Sequence, residues 1–289
     1  MALTVYPLPV TLSVVIITYN EEANLGRTLE SVQPLVADGK GEIIVVDSGS
    51  TDRTVEVAKS YGAKVFIEEW KGYAAQKNSA IDKASGDWIL SLDADESIDD
   101  SLLDEFRGKS PRAFPLEWCL TLEHPGASKL DLPSAFRVNR KNYFLGRWIK
   151  HGGFWPDPKI RLFRRNAARF ENRLVHEDVE WKGVAGHLSG ALVHHSYPTL
   201  ADYLDHMNRY SSLGAEMAVA KGRRSFSLFN IVLRPLATFV YNYFFRLGFL
   251  DGREGLLLHL YHAVYVSWKY AKAWELSRKA DPSPPRASE

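Results

Sequence analysis

Three observations predict an α/β fold built on a largely parallel sheet. Apolar, β-branched runs recur at 12–18 and 42–46, as strands covered on both faces require. Short segments of helical spacing separate the strands, which is the alternation of βαβ units. Polar clusters then close three of the strands, at the carboxyl edge where open α/β sheets take ligands.

Each element follows from its own residues. Leu12–Thr18 reads as the first strand, and Leu25, Leu29 and Val32 share one face of a helix expected to stop before Pro34. Glu42–Val46 is a second buried strand ending at Asp47. The turn Ser48-Gly49-Ser50-Thr51-Asp52 supplies cap residues for a helix through about Tyr61, which Gly62 closes. Ala63–Ile67 reads as a third strand, 73–85 as a helix ended by Gly86, and Trp88–Leu92 as a fourth strand. From about 100 to 200 the pattern loosens, with short strands expected at Ala135–Asn139, Ile160–Phe163 and Ala191–His194. The expected division is a catalytic domain over 1–200, a helical region over 201–280, and a disordered Pro-rich tail over 281–289.

With 289 residues, 45% hydrophobic and 25% charged, the chain has the composition of an ordinary globular protein. A formal charge of +1 argues against a nucleic-acid binder defined by bulk basicity. The balance is uneven along the chain. Residues 1–100 hold 8 Lys/Arg against 17 Asp/Glu, whereas 137–173 hold 11 Lys/Arg against Asp157 and Glu171 alone. An acidic half facing a basic middle suits a site with a cation on one side and anionic groups on the other. Cys119 is the one cysteine, so neither an intramolecular disulfide nor a cysteine zinc cluster can form. No signal-peptide pattern opens the chain, and the expected location is cytoplasmic.

The strand ends carry the chemistry. They are Thr18-Tyr19-Asn20-Glu21, Asp47 through Asp52, and Asp93-Ala94-Asp95-Glu96. Each alone has a local explanation, since Asn, Asp, Ser and Gly favour turns and acids favour helix starts. Together they suit a nucleotide bound across the edge, with Asp47 accepting a base N–H, Asp93 contacting the ribose, and Asp93 and Asp95 holding a hard divalent cation, Mg2+ or Mn2+.

These three runs, in this order and spacing, resemble glycosyltransferase family 2, inverting nucleotide-sugar transferases with the GT-A fold. One departure is Ser48, where the family usually has a second acid. The resemblance implies that Gln76-Lys77-Asn78 lies near the nucleotide; Lys77 alternatively reads as a solvated helix position. It also implies a catalytic base in a short acidic motif, for which Val175-His176-Glu177-Asp178 is the good candidate, Glu177 first and Asp178 second. Trp155, Asp157 and Arg161 are expected at the acceptor pocket; Arg161, Arg164 and Arg165 are all possible anion ligands, but strand alternation points the last two to opposite faces. No Gln-x-x-Arg-Trp follows the acidic motif, so single-sugar transfer fits better than processive synthesis.

Residues 226–250 crowd aromatic and aliphatic side chains together, but Arg234, Pro235 and Arg246 keep any uncharged run below the ~18 residues of a spanning helix. A second helical pattern places Leu257, Leu260, Tyr261, Val264, Trp268 and Ala271 on one stripe, and 206–279 hold 11 Lys/Arg against 4 Asp/Glu. The expectation is an amphipathic hairpin on the cytoplasmic face of the inner membrane, peripherally attached, or helices packed on a partner. The layout is similar to bacterial lipopolysaccharide core β-1,4-glucosyltransferases, which implies UDP-glucose as donor and an inner-core heptose as lipid-anchored acceptor. Transfer to a polyprenyl phosphate and a catalytically inactive membrane scaffold are the rivals. A nucleotidyltransferase would want a Gly-rich phosphate loop, which Thr18–Glu22 is not.

Overall fold

The computed structural model describes residues 11–39, 41–107, 133–171, 179–222 and 226–280. The chain forms two compact units, Met1–Lys141 with Pro156–His194, and Asn142–Trp155 with His195–Glu289. Each is described by itself.

In the first unit, β1 (Leu12–Thr18), β2 (Gly41–Asp47), β3 (Lys64–Ile67) and β4 (Trp88–Asp93) pair in parallel in the order β3-β2-β1-β4. Helices α1 (Leu25–Val36), α2 (Thr54–Ser60) and α3 (Tyr73–Lys83) make the crossovers. Beyond β4 the sheet continues through β8 (Pro158–Arg164), β6 (Ala135–Phe144), β11 (Ala185–Tyr197) and β5 (Glu96–Ile98), and the pairings β4–β8, β6–β8 and β11–β5 are antiparallel. Helix α4 (Asp100–Phe106) is capped by Asp99, whose Oδ1 accepts the Leu102 amide at 2.8 Å. A small ribbon, β9 (Ala168–Phe170) with β10 (Val179–Trp181), completes the described part of this unit.

The core lies on both faces of the sheet. Val14, Ile16, Ile43, Val45, Leu90 and Leu92 point to one side, and Val15, Ile44, Val46 and Ile89 to the other. That two-sided burial is why β1 and β2 read as continuous apolar runs rather than alternating ones.

Several sequence expectations need correction. Helix α1 does not stop before Pro34 but includes it and ends at Val36. A proline in the last turn removes one bond near an end that frays anyway, so the helix closes after it rather than at it. β6 runs five residues past Asn139, and β11 spans Ala185–Tyr197 rather than Ala191–His194. Their extensions carry Arg, Lys, Ser, Gly and His, which apolar patterning does not register.

The second unit is built on α5 (Leu200–Ala220), α6 (Arg234–Val240) and α7 (Gly252–Ala280), with the short strand β7 (Arg147–Trp148). Thr199 starts α5 with a full capping box to Asp202. Phe144, Ile149, Tyr203 and Leu258 centre its core. The expected apolar stripe on α7 is met in part: Leu257 and Tyr261 pack on the core, but Leu260 is exposed, and Leu258, His259, Ala263, Tyr270 and Ala273 are buried. His259 faces inward because Gly152 and Gly248 leave room for its ring, a polar residue at a core position that periodicity cannot find. Among the described residues no helix is long and apolar enough to cross a membrane.

Candidate active site

β4 ends at Asp93, and the chain turns through Ala94 and Asp95 into β5. Glu96 closes that turn, its Oε2 accepting the Asp93 amide at 3.1 Å. Glu96 is fully buried, and its Oε1 accepts from Arg161 Nη2 at 2.6 Å and Arg140 Nη1 at 3.2 Å. The same Arg161 nitrogen donates to Asp93 Oδ2 at 2.6 Å, while Lys77 Nζ lies 2.8 Å from Asp93 Oδ1. Arg140 continues the chain of charges to Asp157, donating from Nε at 2.9 Å and Nη2 at 2.6 Å. Lys77, Asp93, Arg161, Glu96, Arg140 and Asp157 thus form one alternating network behind the rim.

This order of charges sets the protonation states. Burial alone would raise Asp93, but the Arg161 and Lys77 charges hold it well below the usual carboxylate range. Asp95 is likewise pushed up by burial and pulled further down by His194, whose Nε2 lies 3.3 Å from Asp95 Oδ2. Glu21 goes the other way. Burial raises it, the Asn24 hydrogen bond offsets part of that, and the charges of Asp95, Asp52 and Asp93 raise it further. Glu21, Asp93 and Asp95 therefore share one field, at the ends of β1 and β4.

The β1 and β2 ends are stitched together. Asn20 sits at φ 54° and reads both sides of its turn, its amide donating to Ser50 Oγ and its Oδ1 accepting the Thr51 amide, each at 2.8 Å. The Glu21 amide donates to Thr54 Oγ1 at 2.7 Å. Tyr19 stands out into solvent, and Thr18 is buried against Asp47. Asp47 is sealed from solvent, its Oδ1 accepting the amides of Gly49 at 3.1 Å and Ser50 at 2.8 Å. In this arrangement Asp47 organises its own loop.

Lys77 is not a solvated helix position: it is buried, paired with Asp93 and set over the Phe170 ring. Asn78, on the neighbouring face of α3, brackets the Phe170 backbone, donating to its carbonyl at 2.9 Å and accepting its amide at 3.0 Å. Arg161 is buried in the network, whereas Arg164 lies over the Trp88 ring and Arg165 donates to the Ala84 carbonyl at 3.0 Å. Asp157 binds Arg140 and Lys159. Trp155 belongs to the second unit, edge-on to Trp148 with ring centroids 5.3 Å apart. Glu177 and Asp178 lie outside the described residues.

Sequence reasoning named Glu96 in the acidic run without giving it a role, and missed Arg140 and His194. Each had a faint signal: Glu96 extends the Asp-x-Asp run, Arg140 follows a predicted strand, and His194 ends one. The Glu96–Arg140, Glu96–Arg161 and Asp95–His194 pairs join residues 44 to 99 positions apart, so only the sheet order reveals them.

For a divalent cation, Asp95 and His194 are the adjacent pair, since both Asp93 oxygens already face cationic side chains. Among the described residues no group of three or more His, Cys, Asp or Glu gathers as a complete metal cage. The Asp95 carboxylate suits Mg2+ or Mn2+ in a phosphate site, where substrate oxygens and water fill the remaining positions, and an added imidazole favours Mn2+ over Mg2+.

Residues 13–169 match the family described as Glycosyl transferase family 2. An uncharacterised glycosyltransferase of Rickettsia typhi is 31% identical over 93% of this chain and 88% of its own length. The lipopolysaccharide core biosynthesis glycosyltransferase LpsC of Rhizobium meliloti is 30% identical over 91% and 92%. Among solved structures, Staphylococcus aureus TarS 1–349 in complex with UDP-GlcNAc aligns at 14% identity over 93% of this chain and 92% of that one, with a TM-score of 0.44. The chain belongs to glycosyltransferase family 2, with a mixed GT-A sheet whose β3-β2-β1-β4 half is parallel, and C-terminal helices.

Proposed function

We propose that the protein is an inverting transferase that moves one glucose from UDP-glucose to an inner-core heptose of a lipid-anchored lipopolysaccharide acceptor, at the cytoplasmic face of the inner membrane. The observation that supports this reading best is the rim at the ends of β1 and β4, where Glu21, Asp93 and Asp95 share one field beside His194. The similarity to LpsC supports the choice of acceptor class.

In this reading Lys77 and Arg161 fix Asp93 as a charged acceptor for the donor's ribose, and Asp95 with His194 would hold Mg2+ or Mn2+. The bound cation would neutralise the diphosphate as it departs. Glu177, with Asp178 as the second choice, takes the proton of the acceptor hydroxyl, while Asp157 and Arg161 border the acceptor side. Attack on the anomeric carbon breaks the bond to the diphosphate in one displacement, with no covalent sugar on the enzyme.

The test is product analysis. Purified protein, Mn2+ and a panel of nucleotide sugars are incubated with a heptose-terminated lipid A-core or with a polyprenyl phosphate. Mass spectrometry should find a single added hexose on the core lipid with UDP-glucose. Products only on the polyprenyl phosphate, or a stable glycosyl-protein adduct, would refute the proposal.

A further inference from the structure

Residues Leu228 to Phe245 form one continuous helical rod, with π turns at Phe229–Leu233 and Tyr241–Phe245 on either side of α6. Its inner side is fastened to α7 of the same unit. Ser267 Oγ donates to the Ile231 carbonyl at 2.8 Å, and Arg234 Nη1 donates to Tyr270 Oη at 2.6 Å. Its outer side is apolar and open: Phe229, Leu233, Leu236, Tyr241, Phe244 and Phe245 are all more than half exposed, Phe245 at 74%. A rod of this length presents a stripe roughly 25 Å long, and such exposed apolar stripes mark binding surfaces.

The charges say what covers it. Between Glu216 and Asp251 the sequence contains no acidic residue, while Lys221, Arg223 and Arg224 precede this segment in the sequence. A contact between two copies has no reason to exclude acids over so long a stretch; an anionic bilayer surface does. The two cations within the apolar segment do not lead the approach. Arg234 is drawn back to Tyr270, and Arg246 lies over Gly153, where an added Cβ would meet its Nη1 at 2.1 Å.

We propose that Leu228–Phe245 is an in-plane, bilayer-inserting element, held in lipid by its apolar stripe rather than by charge. This rests on the membrane location proposed above and sharpens it: the attachment is monotopic insertion, not peripheral electrostatic adsorption.

Flotation of the full chain with phosphatidylethanolamine/phosphatidylglycerol vesicles tests it, at low salt and at about 1 M salt. Binding should persist at high salt. The triple variant Phe229→Ser, Leu236→Ser, Phe245→Ser should lower the bound fraction about tenfold or more while leaving thermal unfolding unchanged. Release by salt alone would overturn insertion but leave the membrane location standing; no binding at either salt would overturn both. A dimer that the triple variant disperses, without vesicle binding, would assign the stripe to a second copy and overturn the proposal. Should the triple variant misfold, a nitrobenzoxadiazole probe on Phe245→Cys in a Cys119→Ser background replaces it. A blue shift with vesicles is expected, and an unshifted spectrum overturns insertion.

Discussion

Asp93 and Glu96 share a donor: one nitrogen of Arg161 lies 2.6 Å from Asp93 Oδ2 and 2.6 Å from Glu96 Oε1. A single guanidinium thereby compensates two carboxylates, one at the rim and one fully buried beneath it. Removing one partner of a buried ion pair leaves the other charge uncompensated, which costs about 3–5 kcal/mol. Arg161→Met should lower unfolding stability by that order in urea titrations. Adding Glu96→Gln to the same chain should recover part of the loss, because the buried charge left with only Arg140 at 3.2 Å is then gone. A double variant no more stable than the single one would show that Arg161 acts through Asp93 alone.

Asn78 and Lys77 are neighbours in sequence with separate tasks. Asn78 spans the Phe170 backbone with two hydrogen bonds, so Asn78→Ala leaves a partly buried amide and carbonyl without their partner. The expected cost is about 1–3 kcal/mol, seen as a lower unfolding midpoint, with donor affinity unchanged in the remaining folded protein. A selective loss of UDP binding without destabilisation would return Asn78 to the nucleotide.

The parallel half of the fold was legible because its strands are buried on both faces, so hydrophobic runs at Leu12–Thr18 and Gly41–Asp47 state their own structure. The antiparallel half was only partly legible. β6 lengthens through residues such as Arg140, whose polarity is tolerated because it finds Glu96 and Asp157. The rim acids were visible as a motif, but their division of labour was not. Asp93 differs from Asp95 through Lys77 and Arg161, residues brought up by α3 and β8 from 16 and 68 positions away.

That division has a pH signature. Asp93 and Asp95 are held below the ordinary carboxylate range, so their contribution to stability is present above about pH 4 and is lost as pH falls through their folded values. Glu21 is raised, so its sign is opposite: it favours the folded state while protonated, and the contribution fades as pH rises through its unfolded and then its folded value. A cation at Asp95 would favour the charged form of Glu21 as well. Mn2+ with UDP should therefore raise the melting temperature less at pH 5 than at pH 7, with proton release on binding. Asp95→Asn and His194→Ala should each remove most of the Mn2+-dependent shift. An undiminished shift in both variants would place the cation elsewhere.

The catalytic base is the part of the proposal carried by Glu177. Glu177→Gln should reduce transfer by at least about a hundredfold, the usual scale of general-base assistance, while UDP binding measured by calorimetry stays within error. Asp178→Asn should be mild by comparison. The reverse ranking would exchange their roles.

His259 provides the sharpest test of the second unit. Its ring is 1% exposed and neither ring nitrogen has a hydrogen-bond partner among the described residues. Burial pushes its pKa down to about 4, with His262 and Arg246 adding to the effect and Asp251 opposing it. A base whose folded value lies below its unfolded value near 6.5 stabilises the fold above that unfolded value. The contribution is then lost as pH falls from there toward about 4. Gly152 makes the burial possible, since a Cβ there would lie 1.9 Å from His259 Cε1, and its φ of 65° already favours glycine. Gly152→Ala should therefore destabilise at every pH, by roughly 1–3 kcal/mol or more from overpacking and backbone strain. His259→Leu should instead remain close to wild type at pH 7 and unfold at a lower pH than wild type does, because the group that must take up a proton is gone. Thermal melts of the two variants between pH 4 and pH 7.5 separate these outcomes, and acid sensitivity retained in full by His259→Leu would move its origin to other groups.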